Sequence, residues 1–246
     1  MDPVARSIVE AVELNAKLLD DVQAAIWRTP EVRFEERKAH DLLTEELHKA
    51  GFRVTPSYIL PTGFRAEYGT GGPCVCFVAE YDALPEAGHA CGHNLIAEAA
   101  LGASLALKKA LDNAPGLSGR VVCLGTPAEE GGSGKELMLR GGALKDVDAV
   151  VMVHPSAVND AAPPFMAVAK VRVRYTGRAS YVVGAPACAV NALDAAVTAY
   201  TSAAAMRQHM RPSWKVRTQR ECYKPSWRGT LCRHRHVVRL NRQITF

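Results

Sequence analysis

The segment Pro73-Cys74-Val75-Cys76-Phe77-Val78-Ala79-Glu80-Tyr81-Asp82 changes character in its middle. Six residues without a polar alternation read as a β-strand buried on both faces. Two acids then stand at the carboxyl end of that strand. The pattern recurs downstream. Gly119 opens Arg120–Gly125, a second apolar strand, followed by Pro127-Ala128-Glu129-Glu130-Gly131-Gly132. Ala149–Val153 is a third, followed by His154-Pro155. Helical spacing lies between them, over His93–Leu111 and Gly134–Leu139. Strands that alternate with helices in this way predict an α/β fold with a doubly wound sheet.

Upstream, Val4, Ile8, Val12, Leu14, Leu18, Leu19, Val22 and Ile26 have helical spacing over residues 3–28, and Pro30 ends that element. A second amphipathic helix is predicted over Glu35–Ala50, with Leu42, Leu43 and Leu47 inside and Gly51 as its stop. Phe52–Ile59 and Gly63–Tyr68 read as short strands separated by Pro61. Downstream, the texture changes after Pro163-Pro164. Val168–Tyr175 alternates apolar and basic residues, the mark of a strand with one wet face. Asn191 is placed to cap an Ala-rich helix running to about Met210. The expected organisation is therefore a first domain over 1–165, the start of a second over 166–216, and a tail over 217–246 whose lack of period predicts disorder.

Composition narrows the class. With 48% hydrophobic and 22% charged residues, the chain can bury a core and is not a disordered protein. No apolar run reaches the roughly 18–20 residues of a membrane helix, and the amino terminus does not read as a signal peptide. The net charge of +5 is uneven. Residues 211–246 hold ten Lys/Arg against one acid, whereas residues 1–210 hold twenty against twenty-four. Seven cysteines without framework spacing read as reduced thiols. They place the protein in the cytoplasm, with the nucleus as the other compartment open to it.

The three strand ends carry the chemistry, because open α/β sheets bind ligands at that edge. A fourth feature, His89-Ala90-Cys91-Gly92-His93, opens the next helix. Thiol, imidazole and carboxylate are ligand types for first-row metals. Cys91 and His93 straddle a glycine, so a tight turn can aim both at one point. Glu130 and His154 can complete the shell. Glu129 is then free to act as general base on activated water, and Asp82 fits a supporting position that holds a ligand imidazole in one tautomer. Taken singly, a His after a strand is a structural histidine, a Glu-Glu pair a solvated loop, and Cys91 a small buried hydrophobe. Their conjunction at successive strand ends favours a metal site. Gly131–Lys135 fails as a phosphate loop, because Glu129 occupies the first-glycine position and Glu136 follows the lysine. Cys91 as a nucleophile lacks an electropositive setting.

These motifs together resemble the aminoacylase-1 and carboxypeptidase G family of two-metal peptidases, in the branch with hippurate hydrolase and the auxin-conjugate amidohydrolases. The resemblance rests on Trp27-x-x-Pro30-Glu31-x-x-Phe34-Glu35-Glu36, Glu80-Tyr81-Asp82-Ala83-Leu84-Pro85, His89-Ala90-Cys91-Gly92-His93-Asn94, Pro127-Ala128-Glu129-Glu130-Gly131-Gly132 and His154-Pro155, in order, over about residues 3–210. Glu80-Tyr81-Asp82 and His93-Asn94 look closest to the dipeptidases of that family that act on peptides with a C-terminal Lys, Orn or Arg. The resemblance implies a mixed-sheet α/β catalytic domain with an inserted α+β lid, of which 166–210 is the first strand and helix. It implies two divalent ions, Zn²⁺ or else Mn²⁺ or Co²⁺, on Cys91, His93, Glu130 and His154. Glu129 becomes the general acid/base and Asp82 the supporting acid, with a small dipeptide as substrate.

Two departures from the family pattern are expected to matter. Where the lid carries an oxyanion-stabilising His, this chain has Tyr181, which donates one hydrogen bond and carries no imidazolium charge. The family's lid usually dimerises, and the family returns from it to finish the catalytic domain and supply a last ligand His; this chain stops first. A truncated form with impaired activity, and without the family's homodimer, is therefore expected. The alternative is a non-catalytic product that is unstable or acts through partner contacts. Nucleic-acid binding by the basic tail, with Trp214, Tyr223 and Trp227 interleaved, is the weaker reading.

Overall fold

The computed structural model describes residues 2–114, 116–163, 166–178, 186–212, 214–222 and 235–245, with backbone alone over 166–170, 186, 217–222 and 235–245. Two units share the chain, Met1–Val158 and Asn159–Phe246. The sequence reading put that division at 165/166.

The first unit is built on a five-stranded mixed sheet. Its strands are β1 (Arg53–Pro56), β2 (Phe64–Thr70), β3 (Cys74–Ala79), β4 (Gly119–Gly125) and β5 (Ala149–Val151), in spatial order β1-β2-β4-β3-β5. β3 runs parallel to both β4 and β5, and β2 runs antiparallel to β4 and β1. β1 is shorter than its apolar pattern, because Ser57 and Ile59 adopt positive φ and turn the chain into β2. The helices are α1 (Pro3–Arg28), α2 (Arg37–Lys49), α3 (His93–Asn113), α4 (the single broken turn Glu129–Gly132) and α5 (Gly134–Arg140).

Strand alternation divides the core into two layers. Phe64, Ala66, Ala79, Val121 and Cys123 face α1, α2 and α3 and pack with Leu19, Val22, Ile26, Leu43, Leu47 and Leu101. Cys74, Cys76, Val78, Val122 and Leu124 face the opposite side, where Met138 of α5 and Ala143 close over them. The central strands are thus covered on both faces, which is why they lack polar alternation. α1 lies antiparallel to α3, with Gln23 bonded to Asn94 at one end and Ser7 to Asn113 at the other. Only one face of α1 meets the core. Val12 and Leu14, which share the helical spacing of the covered residues, are exposed, Leu14 by 78%. β5 also departs from the reading. It pairs on one side only, and Val150 and Val151 are about half exposed, because the strand is the edge of this sheet.

The second unit holds β6 (Met166–Thr176), α6 (Ala192–Met206), β7 (Lys215–Cys222) and β8 (Arg235–Thr245). The Asn191 side chain accepts from the Leu193 N–H at 2.9 Å, the expected cap of α6. Of the tail expected to lack order over 217–246, the described residues 217–222 and 235–245 lie in strands, and the others lie outside the described residues. β7 and β8 pair antiparallel with each other, and β8 with β6, in the order β6-β8-β7. The register sets Val171 opposite Leu240 and Val173 opposite Val238. Strand order here comes from a partner some seventy positions away in the chain, which no local period reveals. Among the described residues, no helix is long and apolar enough to cross a membrane.

Leu101 is 0% exposed under the sheet, and Leu14 faces solvent. Leu101→Ala is expected to cost about 2–5 kcal/mol and Leu14→Ala less than about 0.5 kcal/mol. Urea unfolding midpoints of the two variants check this contrast.

Candidate metal centre

The parallel run of β3, β4 and β5 sets their carboxyl ends along one edge of the sheet. Glu80-Tyr81-Asp82 follows β3, Pro127–Glu130 follows β4, and His154 follows β5. His93 arrives at the same edge as the first residue of α3. All of these residues belong to the first unit.

His93 is fully buried. Its Nδ1 lies 2.8 Å from the Asp82 carbonyl oxygen and 3.0 Å from Asp82 Oδ1. Both neighbours are acceptors, so Nδ1 carries the proton and the Nε2 lone pair is left free. Nε2 is buried without a hydrogen-bond partner. It faces Glu80 Oε2 at 3.3 Å and Glu129 Oε2 at 3.9 Å. Burial acts to lower the His93 pKa, but the Asp82 bond and the charges of Glu80 and Asp82 outweigh it and raise it. Asp82 uses its second oxygen too, since Oδ2 accepts from the Glu130 N–H at 2.8 Å. Burial opposes its charge, yet these bonds hold its carboxyl below the usual range.

Gly92, at φ +82°, makes the turn between Cys91 and His93. A Cβ there would meet the Pro155 ring at 2.9 Å, so the same glycine admits the His154-Pro155 segment. Cys91 Sγ comes within 3.8 Å of His154 Nε2. Cys91, His93 and His154 each offer a ligand atom, all within 4.8 Å of one another. His93, Glu129 and Glu130 form a second such group, and the two share His93. Burial, then the neighbouring Glu130, pushes the Cys91 thiol up to about 11. A thiol held protonated in this way is not a free nucleophilic thiolate. The mixed thiol, imidazole and carboxylate donors, with one buried orphan imidazole nitrogen at their centre, fit a borderline-soft divalent ion.

Burial, then Glu80 and Glu130, raises the pKa of the Glu129 carboxyl, while Lys135 and His93 pull it back. Two members of this cluster had no role in the sequence reading, which named Glu80 only as an acid at a strand end and Lys135 only in a failed phosphate loop. Glu80 is buried and ion-paired with Lys135, leaving Oε2 without a partner. The sequence signal was present, a basic residue in a Gly-rich turn directly after two acids, but only folding brings Lys135 to β3. Tyr181 lies outside the described residues.

Residues 76–216 match the peptidase family M20/M25/M40. The chain is 44% identical over 228 residues to the Xaa-Arg dipeptidase of Mus musculus, covering 88% of this chain and 53% of that protein. It is 44% identical over 223 residues to the Xaa-Arg dipeptidase of Homo sapiens, covering 84% and 51%. The chain thus spans about half the length of the curated relatives it matches. Among solved structures, a Bacillus subtilis protein described as a dinuclear metal binding peptidase from the M20 family superposes with a TM-score of 0.67 at 20% identity, over 95% of this chain and 66% of the other. From its match across more than half its length, together with these relatives, the chain belongs to peptidase family M20/M25/M40.

Proposed function

We propose that this chain hydrolyses the amide bond of small dipeptides with a basic C-terminal residue, using divalent metal held by Cys91, His93, Glu130 and His154. The observation that carries the reading is the orphan Nε2 of His93, buried among carboxylates beside a thiol and a second imidazole. The preference for a basic residue rests on the family resemblance and on the names of the murine and human relatives. The two-ion count rests on the family resemblance and on the description of the Bacillus subtilis protein.

A divalent ion bound there supplies Lewis acidity, which polarises a carbonyl and brings water within reach of deprotonation near neutral pH. The chain's own residues do the rest. Glu129 is close enough to His93 to work at the same centre and is partly exposed, so substrate and water can reach it. Its carboxylate takes the proton of the attacking water and returns it to the leaving amine. A raised pKa suits both halves of that exchange. Asp82 keeps the proton of His93 on Nδ1 and holds the Glu130 backbone, so ring and carboxylate keep a fixed mutual position.

Glu129→Gln is expected to bind Zn²⁺ within about threefold of the parent chain while hydrolysis of β-alanyl-lysine falls by about 10²–10⁴. Equilibrium dialysis and product chromatography read the two quantities separately. Glu130→Gln should instead weaken the metal itself, and equal metal loss from both changes would reverse the assignment of base and ligand. Asp82→Asn should lower Zn²⁺ affinity by about 10–100-fold, since a partner that fixes a ligand is lost. Unchanged dialysis curves for Asp82→Asn would remove it from the centre.

A further inference from the structure

We propose that Glu36 is a positioning residue for Glu129 and Glu130, acting on them through the backbone of Ala128. The inference rests on the reading of that pair as base and ligand. Glu36 stands just before α2, ninety-two positions before Ala128 in sequence, and is 0% exposed. A buried carboxylate without compensation is costly, and among the described residues no Lys or Arg forms an ion pair with it. Its two oxygens are satisfied by donors instead. Oε1 accepts from the Ala128 N–H at 2.8 Å, and Oε2 accepts from the Thr62 hydroxyl at 2.8 Å.

Ala128 is the residue that needs holding. It adopts φ +59°, ψ +44°, a left-handed conformation that costs a non-glycine residue about 1–2 kcal/mol. That conformation turns the chain out of β4 and into Glu129. The turn leaves no slack around it. Ala128 O accepts from both the Gly132 and Gly134 N–H at 3.2 Å, and a Cβ on Gly132 would strike Ala128 and the Phe34 ring. Phe34 itself has φ +64° and lies two residues before Glu36. The segment before α2 therefore grips the Glu129–Glu130 turn from below, with the carboxylate as its polar contact. The same network reaches the other acids, since the Tyr81 hydroxyl donates to the Thr62 carbonyl at 2.6 Å, between Glu80 and Asp82 in the chain. Burial raises the Glu36 pKa, and the donors on its oxygens, Thr62 and the Ala128 N–H among them, act against that shift.

The test uses the full chain with Glu36→Ala, Glu36→Gln, Ala128→Gly and the double variant Glu36→Ala/Ala128→Gly. Four quantities are read: amide hydrogen exchange at Ala128, the visible spectrum of the Co²⁺-loaded protein, kcat and KM for β-alanyl-lysine, and the urea midpoint. Exchange at Thr126, whose N–H bonds to Ala79 O at 2.8 Å, is the internal control. Glu36→Ala is expected to speed Ala128 exchange at least tenfold with Thr126 unchanged, to alter the Co²⁺ bands, and to lower kcat at least tenfold with KM within twofold. Glu36→Gln keeps an acceptor and should restore kcat to within about threefold, with Ala128 exchange still faster than in the parent. Glycine at 128 removes the left-handed strain, so the double variant should lose less than Glu36→Ala alone. Equal exchange changes at Ala128 and Thr126, or a lowered urea midpoint with an unaltered Co²⁺ spectrum and kcat, would overturn the proposal. Should Glu36→Ala fail to fold, the exchange pattern of Glu36→Gln decides in the same way. Absence of hydrolysis in the parent chain would count against the dipeptidase reading, and the exchange and Co²⁺ readouts would still decide the role of Glu36.

Discussion

Asp82 joins three segments through one buried carboxylate. Its Oδ1 meets the His93 ring at the start of α3, and its Oδ2 receives the Glu130 N–H from the turn after β4. Asp82 itself sits on the extension of β3. The bonds have a consequence beyond their energy. They fix the side on which His93 carries its proton, so the free lone pair of Nε2 points away from Asp82 and toward Glu80 and Glu129. With the ring able to rotate or change tautomer, neither ligand group around His93 would keep its geometry. The sheet matters to the site mainly because parallel β3 and β4 bring these partners to the same edge.

Acidic crowding is the cost of this arrangement. Glu80, Asp82, Glu129 and Glu130 gather round one imidazole, and Lys135 is the cation paired with them at Glu80. Burial first, and then the like charges around them, raise the pKa of Glu129 and of Cys91. A cation at the centre would relieve the repulsion and satisfy the orphan atoms of His93 and Glu80 together. Proteins tolerate such local frustration where chemistry requires it, while the surrounding core supplies the stability. Here that core is two-sided, with three helices against one face of the sheet and Met138 with Ala143 against the other.

Much of the fold was legible because its signals are local. The apolar runs Cys74–Ala79 and Arg120–Gly125 fall on strands buried on both faces, and Pro30, Gly51 and Asn191 mark helix ends where the structure has them. The failures share a different cause. Val12 and Leu14 have helical spacing like the core residues of α1, and only the placement of α3 decides which stripe is covered. Ala149–Val151 is as apolar as a central strand, yet it lies at the sheet edge with one neighbour. Lys215–Cys222 and Arg235–Thr245 lack an apolar period, and their order comes from backbone pairing with each other and with β6.

The sequence by itself determined the helices and central strands of the first unit, the strand ends and the residue types that gather there. Those properties follow from periodicity, from turn residues and from donor chemistry, all written within short windows. Tertiary structure decided which atoms of those residues stay free. That the proton of His93 lies on Nδ1, that Lys135 neutralises Glu80, and that Glu36 supports Ala128 from more than ninety positions away all depend on distances between segments. Hydrogen bonds and ion pairs act over about 3–4 Å, and such proximity exists only once the sheet has set its strands side by side.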